Sequence, residues 1–207
     1  RRGCTGLLTS DDLVNWTVEA PFYAPARYHG HECPDWFQRG DWYYLVFSEY
    51  TAHTVTRYVM SQSPDGPWLT PDDNQFDNRA FYAAKTASDG NRRFLFGWNP
   101  SKLGDVDNGE WQWGGCLTVH EVVGGAHGTL NVRMPPEADA AFADARPVGV
   151  RLADDWQESG GTFRAEAPYR YSMALSSERM PETYLLQGEL RFEAGTGTAG
   201  VLLRADD

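Results

Sequence analysis

At 207 residues the chain is long enough for one large domain or two modest ones with apolar cores of their own. Its formal net charge of −11, from 18 basic and 29 acidic residues, would repel both the phosphate backbone of nucleic acid and an anionic membrane surface. The sequence also lacks an apolar run long enough to span a bilayer. Nucleic acid and membranes are therefore not expected as partners.

The composition favours an all-β protein. The chain contains 21 Gly and 12 Pro, so turns should be frequent and long helices few. It also contains eight Trp, ten Tyr and ten Phe. The apolar face of a sugar ring lies well against an indole or phenol ring, so this content suits carbohydrate binding, although the same side chains also fill sheet cores.

An internal repeat organises the first two thirds of the chain. Residues 5–16 (TGLLTSDDLVNW) and 57–68 (RYVMSQSPDGPW) share one pattern of strand, polar turn and Trp, about 50 residues apart. Residues 32–50 and 81–99 share a second pattern, two strand-like runs joined by a polar turn. Four short strands in a repeat of this length are typical of a propeller blade, and a run of hairpins in a β-sandwich is the alternative.

The repeat fades towards the end of the chain. Residues 111–123 and 128–133 are predicted to be the closing strands of the last blade, and residues 137–142 to form one short helix. Further strands are expected in residues 162–167, 184–193 and 200–204, without the repeat. We therefore predict propeller blades in residues 1–145 and the start of a β-sandwich domain in residues 146–207.

Three widely spaced cysteines, Cys4, Cys33 and Cys116, indicate neither a disulfide framework nor a CxxC motif. This usage favours a reducing compartment such as the cytoplasm over secretion. Because the chain begins without Met and stops in mid-pattern, we expect both ends to be cut, and the localisation of the intact protein stays open. Its oligomeric state is equally open.

Glu32 is the strongest candidate for chemistry. It stands at the start of the first strand of a predicted blade, where inner strands line a shared funnel. The residues after it include Cys33, Pro34, Trp36 and Phe37, so we expect a poorly solvated carboxyl group, an environment that suits a general acid. The alternative is a structural Glu that pairs with an Arg or faces water.

Residues 32–35 (ECPD) and the aromatics after them resemble the ECPD motif of glycoside hydrolase family 32, the invertase, levanase and inulinase family. Residues 9–16 are similar to the family's TSxDLxxW stretch and residues 81–84 to its DFYA segment. Residues 97–98 resemble its GW pair, and residues 113–115 fall where the family enters its final blade. The resemblance covers about residues 5–145 and implies a five-bladed β-propeller, of which the later blades are present, followed by a β-sandwich.

The resemblance implies a role for each motif residue. Glu32 would be the acid/base of a retaining glycosidase, whose two carboxyl groups lie about 5 to 5.5 Å apart. Tyr82 would orient or tune Glu32, Trp98 would form an apolar wall for the furanose, and Cys33 and His31 would lie beside the substrate. Tyr82 and Trp98 could instead only pack the blades.

The sequence also departs from the family pattern. Neither WMNDPNG, which supplies the nucleophilic Asp, nor RDP, which supplies a sugar-binding Asp, occurs in these residues. Ala80 replaces the acidic residue of DFYA, and His31 replaces the usual aromatic before ECPD. The implied substrate is a fructoside of the sucrose, levan or inulin type, and these changes leave open which one, and whether the reaction is hydrolysis or fructosyl transfer.

Two other functions remain possible from the sequence. One is a family-43 furanosidase or xylosidase, which has a related five-bladed fold and inverts configuration. The other is a carbohydrate-binding propeller without catalysis.

No cofactor or metal site is predicted. His29 and His31 lie on one face of an extended segment, but no third ligand follows at a recognisable interval. The acidic loop with Asp105, Asp107 and Glu110 is interpreted as a solvated turn.

Overall fold

The computed structural model describes residues 2–51, 53–77, 79, 81–106, 108–167 and 170–203. The described residues are almost entirely strands, turns and loops, with a single four-residue α-helix, which confirms the predicted all-β fold class. The chain divides into two compact units, residues 1–136 and 137–207.

Two four-stranded antiparallel sheets make up most of the first unit. In each sheet the strands pair in chain order, as predicted for a propeller blade. A two-stranded sheet, β1–β2, precedes them. The strands are β1 (Leu8–Thr9), β2 (Thr17–Val18), β3 (Glu32–Arg39), β4 (Trp42–Glu49), β5 (Val55–Ser61), β6 (Gln75–Phe76), β7 (Tyr82–Ser88), β8 (Arg93–Lys102), β9 (Trp111–Gly124) and β10 (Leu130–Arg133). The number of blades in the whole protein stays a prediction.

The sequence repeat corresponds to equivalent strands. Residues 32–50 form β3 and β4, and residues 81–99 form β7 and most of β8. The other repeated pattern gives similar pairings, which differ in register by one residue: Thr9 in β1 pairs with Thr17, and Met60 in β5 forms a bridge with Leu69. Each repeat therefore carries similar hairpins, because strand–turn–strand patterns at matching positions favour the same local pairing.

An apolar core joins the two four-stranded sheets. Its buried residues come from both sheets and from the segment just before β7: Phe37, Tyr44, Val46, Tyr58, Met60, Phe76, Phe81, Ala84, Leu95, Val122 and Leu130. The Tyr58 hydroxyl, from the first sheet, accepts a hydrogen bond from the backbone N–H of Leu130 in the second sheet, at 3.0 Å. The Tyr44 hydroxyl likewise donates to the carbonyl of Gly128, at 2.6 Å. The interface thus combines apolar burial with specific polar contacts, which fix how one sheet lies on the other.

A second aromatic cluster lies on the other side of the first sheet and contains His31. The imidazole lies 4.0 Å from the ring of Phe47 and 5.6 Å from that of Tyr23, centroid to centroid. Its Nε2 is 3.1 Å from the hydroxyl of Thr5, while Nδ1 has no hydrogen-bond partner among the described residues. Burial lowers the pKa of His31 from 6.5 to about 4, because the charged imidazolium is disfavoured away from water.

The second unit contains only short elements. Helix α1 (Pro136–Asp139) begins at the boundary, and the strands are β11 (Val150–Arg151), β12 (Trp156–Ser159), β13 (Thr162–Ala165) and β14 (Leu175–Ser176). Strand β11 pairs with β14, and β12 pairs with β13, both antiparallel. The helix expected in residues 137–142 and the strand expected in residues 162–167 both form, in shorter versions.

The strands predicted in residues 184–193 and 200–204 are wrong for the part of these segments that the structure describes, and Arg204 lies outside it. Leu190 and Phe192 alternate as in a strand, yet their side chains are 53% and 66% exposed. A strand needs a partner for its backbone groups and a surface that covers its apolar face, and alternation supplies neither. A β-sandwich in residues 146–207 stays a prediction.

A substitution at Gly97 in β8 would test the packing of the core. A Cβ atom on Gly97 would lie 2.1 Å from the ring of Phe81, which is 1% exposed and cannot move aside. We expect Gly97→Ala to lower the free energy of unfolding by about 1–3 kcal/mol through overpacking. Gly6→Ala, where the added Cβ meets nothing within 4 Å, is the control. Equal urea-unfolding midpoints for the two variants would contradict this packing.

The burial of His31 predicts a pH dependence of stability. As the pH falls from 6.5 towards 4, the unfolded chain takes up a proton at this residue that the folded chain does not. The free energy of unfolding should therefore fall with pH across this window, and fall less in His31→Phe, which keeps an aromatic ring. Urea titrations across the window measure the difference. His53→Gln, at an exposed position, should keep the parent's slope.

Candidate active site

Strands β3 and β7 begin with the same backbone irregularity. The pairing of β3 with β4 shifts register between Glu32 and Asp35, and that of β7 with β8 shifts between Tyr82 and Lys85. The residue after each strand start has a positive φ, 51° at Cys33 and 53° at Ala83. Residues with a Cβ rarely adopt this conformation, and bulges of this kind turn a side chain away from its regular direction. The bulges therefore set the direction of the side chains at both strand starts.

These two side chains are in contact. The hydroxyl of Tyr82 donates a hydrogen bond to Oε2 of Glu32, at 2.8 Å, although the residues belong to different sheets. Tyr82 is 5% exposed, whereas Glu32 is open to solvent. Among the described residues, the second carboxylate oxygen of Glu32 accepts no hydrogen bond. The arrangement holds the carboxylate at one oxygen and leaves the other available to a ligand.

The expectation of a poorly solvated Glu32 is wrong. The aromatic residues that follow it in sequence do not surround its carboxylate, because they pack against the neighbouring strand β4. Trp36 stacks on Tyr43 with centroids 5.6 Å apart, and Phe37 stacks on Tyr44 at 5.2 Å. The neighbours of Glu32 in the sequence therefore do not predict the surroundings of its carboxylate.

The phenol of Tyr82 stays protonated as a donor. Burial raises the pKa of Tyr82 well above its usual value, and the hydrogen bond to the Glu32 carboxylate raises it further. Ionisation would break this hydrogen bond and place two negative charges side by side. The tyrosine can thus hold the carboxylate without competing for its proton.

Trp98 lies next to this pair. It is the partner of Tyr82 in the β7–β8 ladder, and its ring is stacked on that of Trp113 with centroids 5.5 Å apart and planes inclined by 9°. Trp113 is 89% exposed. The sequence marked Trp98 as a site residue but not Trp113, although two Trp residues in the run WQW were a visible signal.

The other two predicted site residues are placed differently. Cys33 is half-buried with a free thiol and carries the strained backbone beside Glu32. The imidazole of His31 lies in the aromatic cluster described above, where among the described residues it contacts Thr5 and aromatic rings rather than Glu32. Their roles towards a substrate stay predictions, and for His31 packing is the role that these contacts support.

No group of three His, Cys, Asp or Glu side chains in the described part of the chain is placed to hold a metal ion. The same residues contain no helix that is long and apolar enough to cross a membrane. Asp105 and Glu110 are exposed, whereas Ala80 and Asp107, which the sequence also singled out, lie outside the described residues.

Comparison with known proteins gives relatives that act on carbohydrates. Sucrose-6-phosphate hydrolase of Escherichia coli is 29% identical over 137 residues, which cover 58% of this chain and 28% of that protein. The solved structure of a glycoside hydrolase family 32 protein from Bifidobacterium adolescentis has a TM-score of 0.44 and 17% identity, covering 76% of this chain and 27% of that one. A thermostable family-43 glycoside hydrolase has a TM-score of 0.47 and 16% identity, covering 63% and 47%. The chain thus spans less than half the length of each of these relatives.

A family model matches the larger part of the chain. It is the model of the N-terminal domain of glycosyl hydrolases family 32, and it matches residues 1–130. The matched segment contains Glu32, Tyr82 and Trp98, and the match confirms the resemblance first seen in the ECPD motif. The chain therefore belongs to family 32 of the glycosyl hydrolases.

Proposed function

We propose that this chain carries the acid/base part of a site that cleaves fructofuranosides by a retaining mechanism. The observation that carries the proposal is the hydrogen bond of 2.8 Å between Tyr82 and Glu32, made between the first strands of two sheets. It holds one carboxylate oxygen of an exposed Glu and leaves the other to approach a glycosidic oxygen. Membership of family 32 supports this assignment, since residues 32–35 lie within the matched segment and resemble the family's ECPD motif.

In the proposed mechanism Glu32 acts twice. It first donates its proton to the leaving oxygen as a carboxylate nucleophile attacks the anomeric carbon of fructose. It then takes a proton from the water that hydrolyses the fructosyl–enzyme intermediate. The family motif that supplies the nucleophilic Asp does not occur in these 207 residues, so in this proposal the nucleophile comes from elsewhere in the protein.

The substrate belongs to this proposal as well. The Escherichia coli relative is described as a sucrose-6-phosphate hydrolase, and we propose a sucrose-like β-fructofuranoside for the present protein. The ring of Trp98, beside Tyr82 in the ladder, supplies an apolar surface for the sugar, since a sugar ring packs its C–H face on indole.

We expect Glu32→Gln in the complete enzyme to fold normally and to lose about 10²- to 10⁴-fold in turnover of sucrose, because the amide cannot donate the proton. With an activated leaving group the first step should suffer less, and azide, which needs no base, should restore the second step as a fructosyl azide of retained configuration. Glu19→Gln, at an exposed position of the same unit, is the matched control. Near-normal turnover by Glu32→Gln would refute the assignment, and a product of inverted configuration would indicate a family-43 type of mechanism instead.

Tyr82→Phe should have a smaller effect. The variant keeps the aromatic packing and removes only the hydrogen bond to a charged group, so we expect roughly a ten- to hundredfold lower kcat. KM should change little, because in this proposal the phenol contacts the carboxylate and not the substrate. Steady-state kinetics measure both constants. A changed KM with an unaltered kcat would show that Tyr82 only shapes the binding surface.

A further inference from the structure

The two strands that carry Glu32 and Tyr82 are both edge strands. Strand β3 is the edge of the first four-stranded sheet and β7 the edge of the second, and no ladder pairs one with the other. An edge strand leaves backbone N–H and C=O groups without ladder partners. Something other than sheet pairing must therefore hold the two strand starts in register.

Two side chains, one from each strand, make this connection. The carboxylate Oδ2 of Asp35 accepts a hydrogen bond from the backbone N–H of Thr86, at 2.5 Å. In the opposite direction, the ammonium group of Lys85 donates to the backbone carbonyl of Pro34, at 2.6 Å. Each bond joins a charged side chain of one edge to a backbone group of the other, and charge-assisted bonds of this kind are stronger than neutral ones.

The position of these bonds relates them to the candidate site. Asp35 is the first residue of β3 that pairs regularly after the bulge at Cys33, and Lys85 has the same place after the bulge at Ala83. A left-handed backbone at a residue with a Cβ persists only where the surroundings hold it. The hydrogen bonds of Asp35 and Lys85 adjoin both bulges, so they can stabilise the left-handed backbone at Cys33 and at Ala83.

A cation lies beside Asp35. Arg93 in β8 donates a hydrogen bond to the hydroxyl of Thr86, at 2.7 Å, and its guanidinium interacts favourably with the Asp35 carboxylate. The same guanidinium lies over the ring of Phe37 in β3, 4.2 Å from its centroid. Arg93 thus contacts both edges, Thr86 in β7 and Phe37 in β3, close to the bond from Thr86 to Asp35.

We propose that Asp35 is a positioning residue which, through the backbone of Thr86 and together with Lys85, sets the contact between Tyr82 and Glu32. The importance of that contact for catalysis rests on the function proposed above, whereas the contact itself can be tested without turnover. In this arrangement Asp35 touches no reacting atom. It holds the second strand start against the first, so that the phenol reaches the carboxylate.

Nuclear magnetic resonance of the chain labelled at the tyrosine ring carbon Cζ measures the contact directly. The chemical shift of this carbon depends on the group that accepts the hydrogen bond of the phenol. Tyr82→Phe assigns the signal, and Glu32→Gln gives its position when the acceptor is no longer a carboxylate. We expect Asp35→Ala to move the Tyr82 signal away from its parent position and to speed exchange of its hydroxyl proton about tenfold. Asp35→Asn, which keeps an acceptor oxygen, should recover part of both effects.

Asp41→Ala is the matched control, because it removes an exposed carboxylate from the turn between β3 and β4. It should leave the Tyr82 signal at its parent position. A parent-like signal in Asp35→Ala, with equal thermal midpoints, would overturn the proposal.

A measurement on the parent chain covers the case in which Asp35→Ala does not fold. The amide proton of Thr86 should exchange at least tenfold more slowly than expected for an unbonded edge N–H, since it donates to a carboxylate. Exchange at the rate of an unbonded edge amide would refute the proposal without any variant. Failure of Glu32→Gln to lower turnover would refute the proposed function and leave this result untouched, so the two can fail separately.

Discussion

The contact of one four-stranded sheet with the next is the constraint on which the candidate site depends. Glu32 and Tyr82 stand about 50 residues apart, and neither strand could bring them together alone. The buried ring of Tyr58, with its hydroxyl bonded to the backbone of Leu130, shows how closely the sheets are fitted. Because apolar burial lacks direction, such polar contacts select one orientation among many that would bury similar area.

The bulge that occurs in both repeats sets the direction of the side chains at the two strand starts. An identical irregularity at Cys33 and Ala83 gives both strand starts the same backbone shape, yet one carries a carboxylate and the other a phenol. The repeat thus supplies a scaffold on which equivalent positions carry different groups. Strain of this kind is typical of functional sites, where the surrounding structure holds a conformation that the residue alone would avoid.

The solvent exposure of Glu32 changes how the site is understood. A carboxyl group buried among aromatic rings would be kept from water before any ligand binds. In this structure the carboxylate faces solvent and accepts one hydrogen bond, from Tyr82, so its other oxygen is open to a ligand or to the rest of the protein.

Part of the architecture followed from sequence pattern alone. Strand–turn–strand signals are local, so the hairpins of both repeats and the all-β class could be predicted, and the ECPD motif at residues 32–35 identified the family. The same reasoning failed in residues 184–193, where alternation resembled a strand without a partner for its backbone.

Only the tertiary structure decided the rest of the surroundings of Glu32. The family resemblance implied a contact with Tyr82, and that residue donates to the carboxylate from the neighbouring sheet. Sequence order suggested Trp36 and Phe37 as further neighbours, but strand pairing places both rings against β4. The same holds for His31, whose motif position suggested a substrate contact and whose ring lies in an apolar cluster. Motifs record which residue types occur at a strand start. The direction of each side chain depends on bulges and on inter-sheet packing, which are properties of distant parts of the chain acting together.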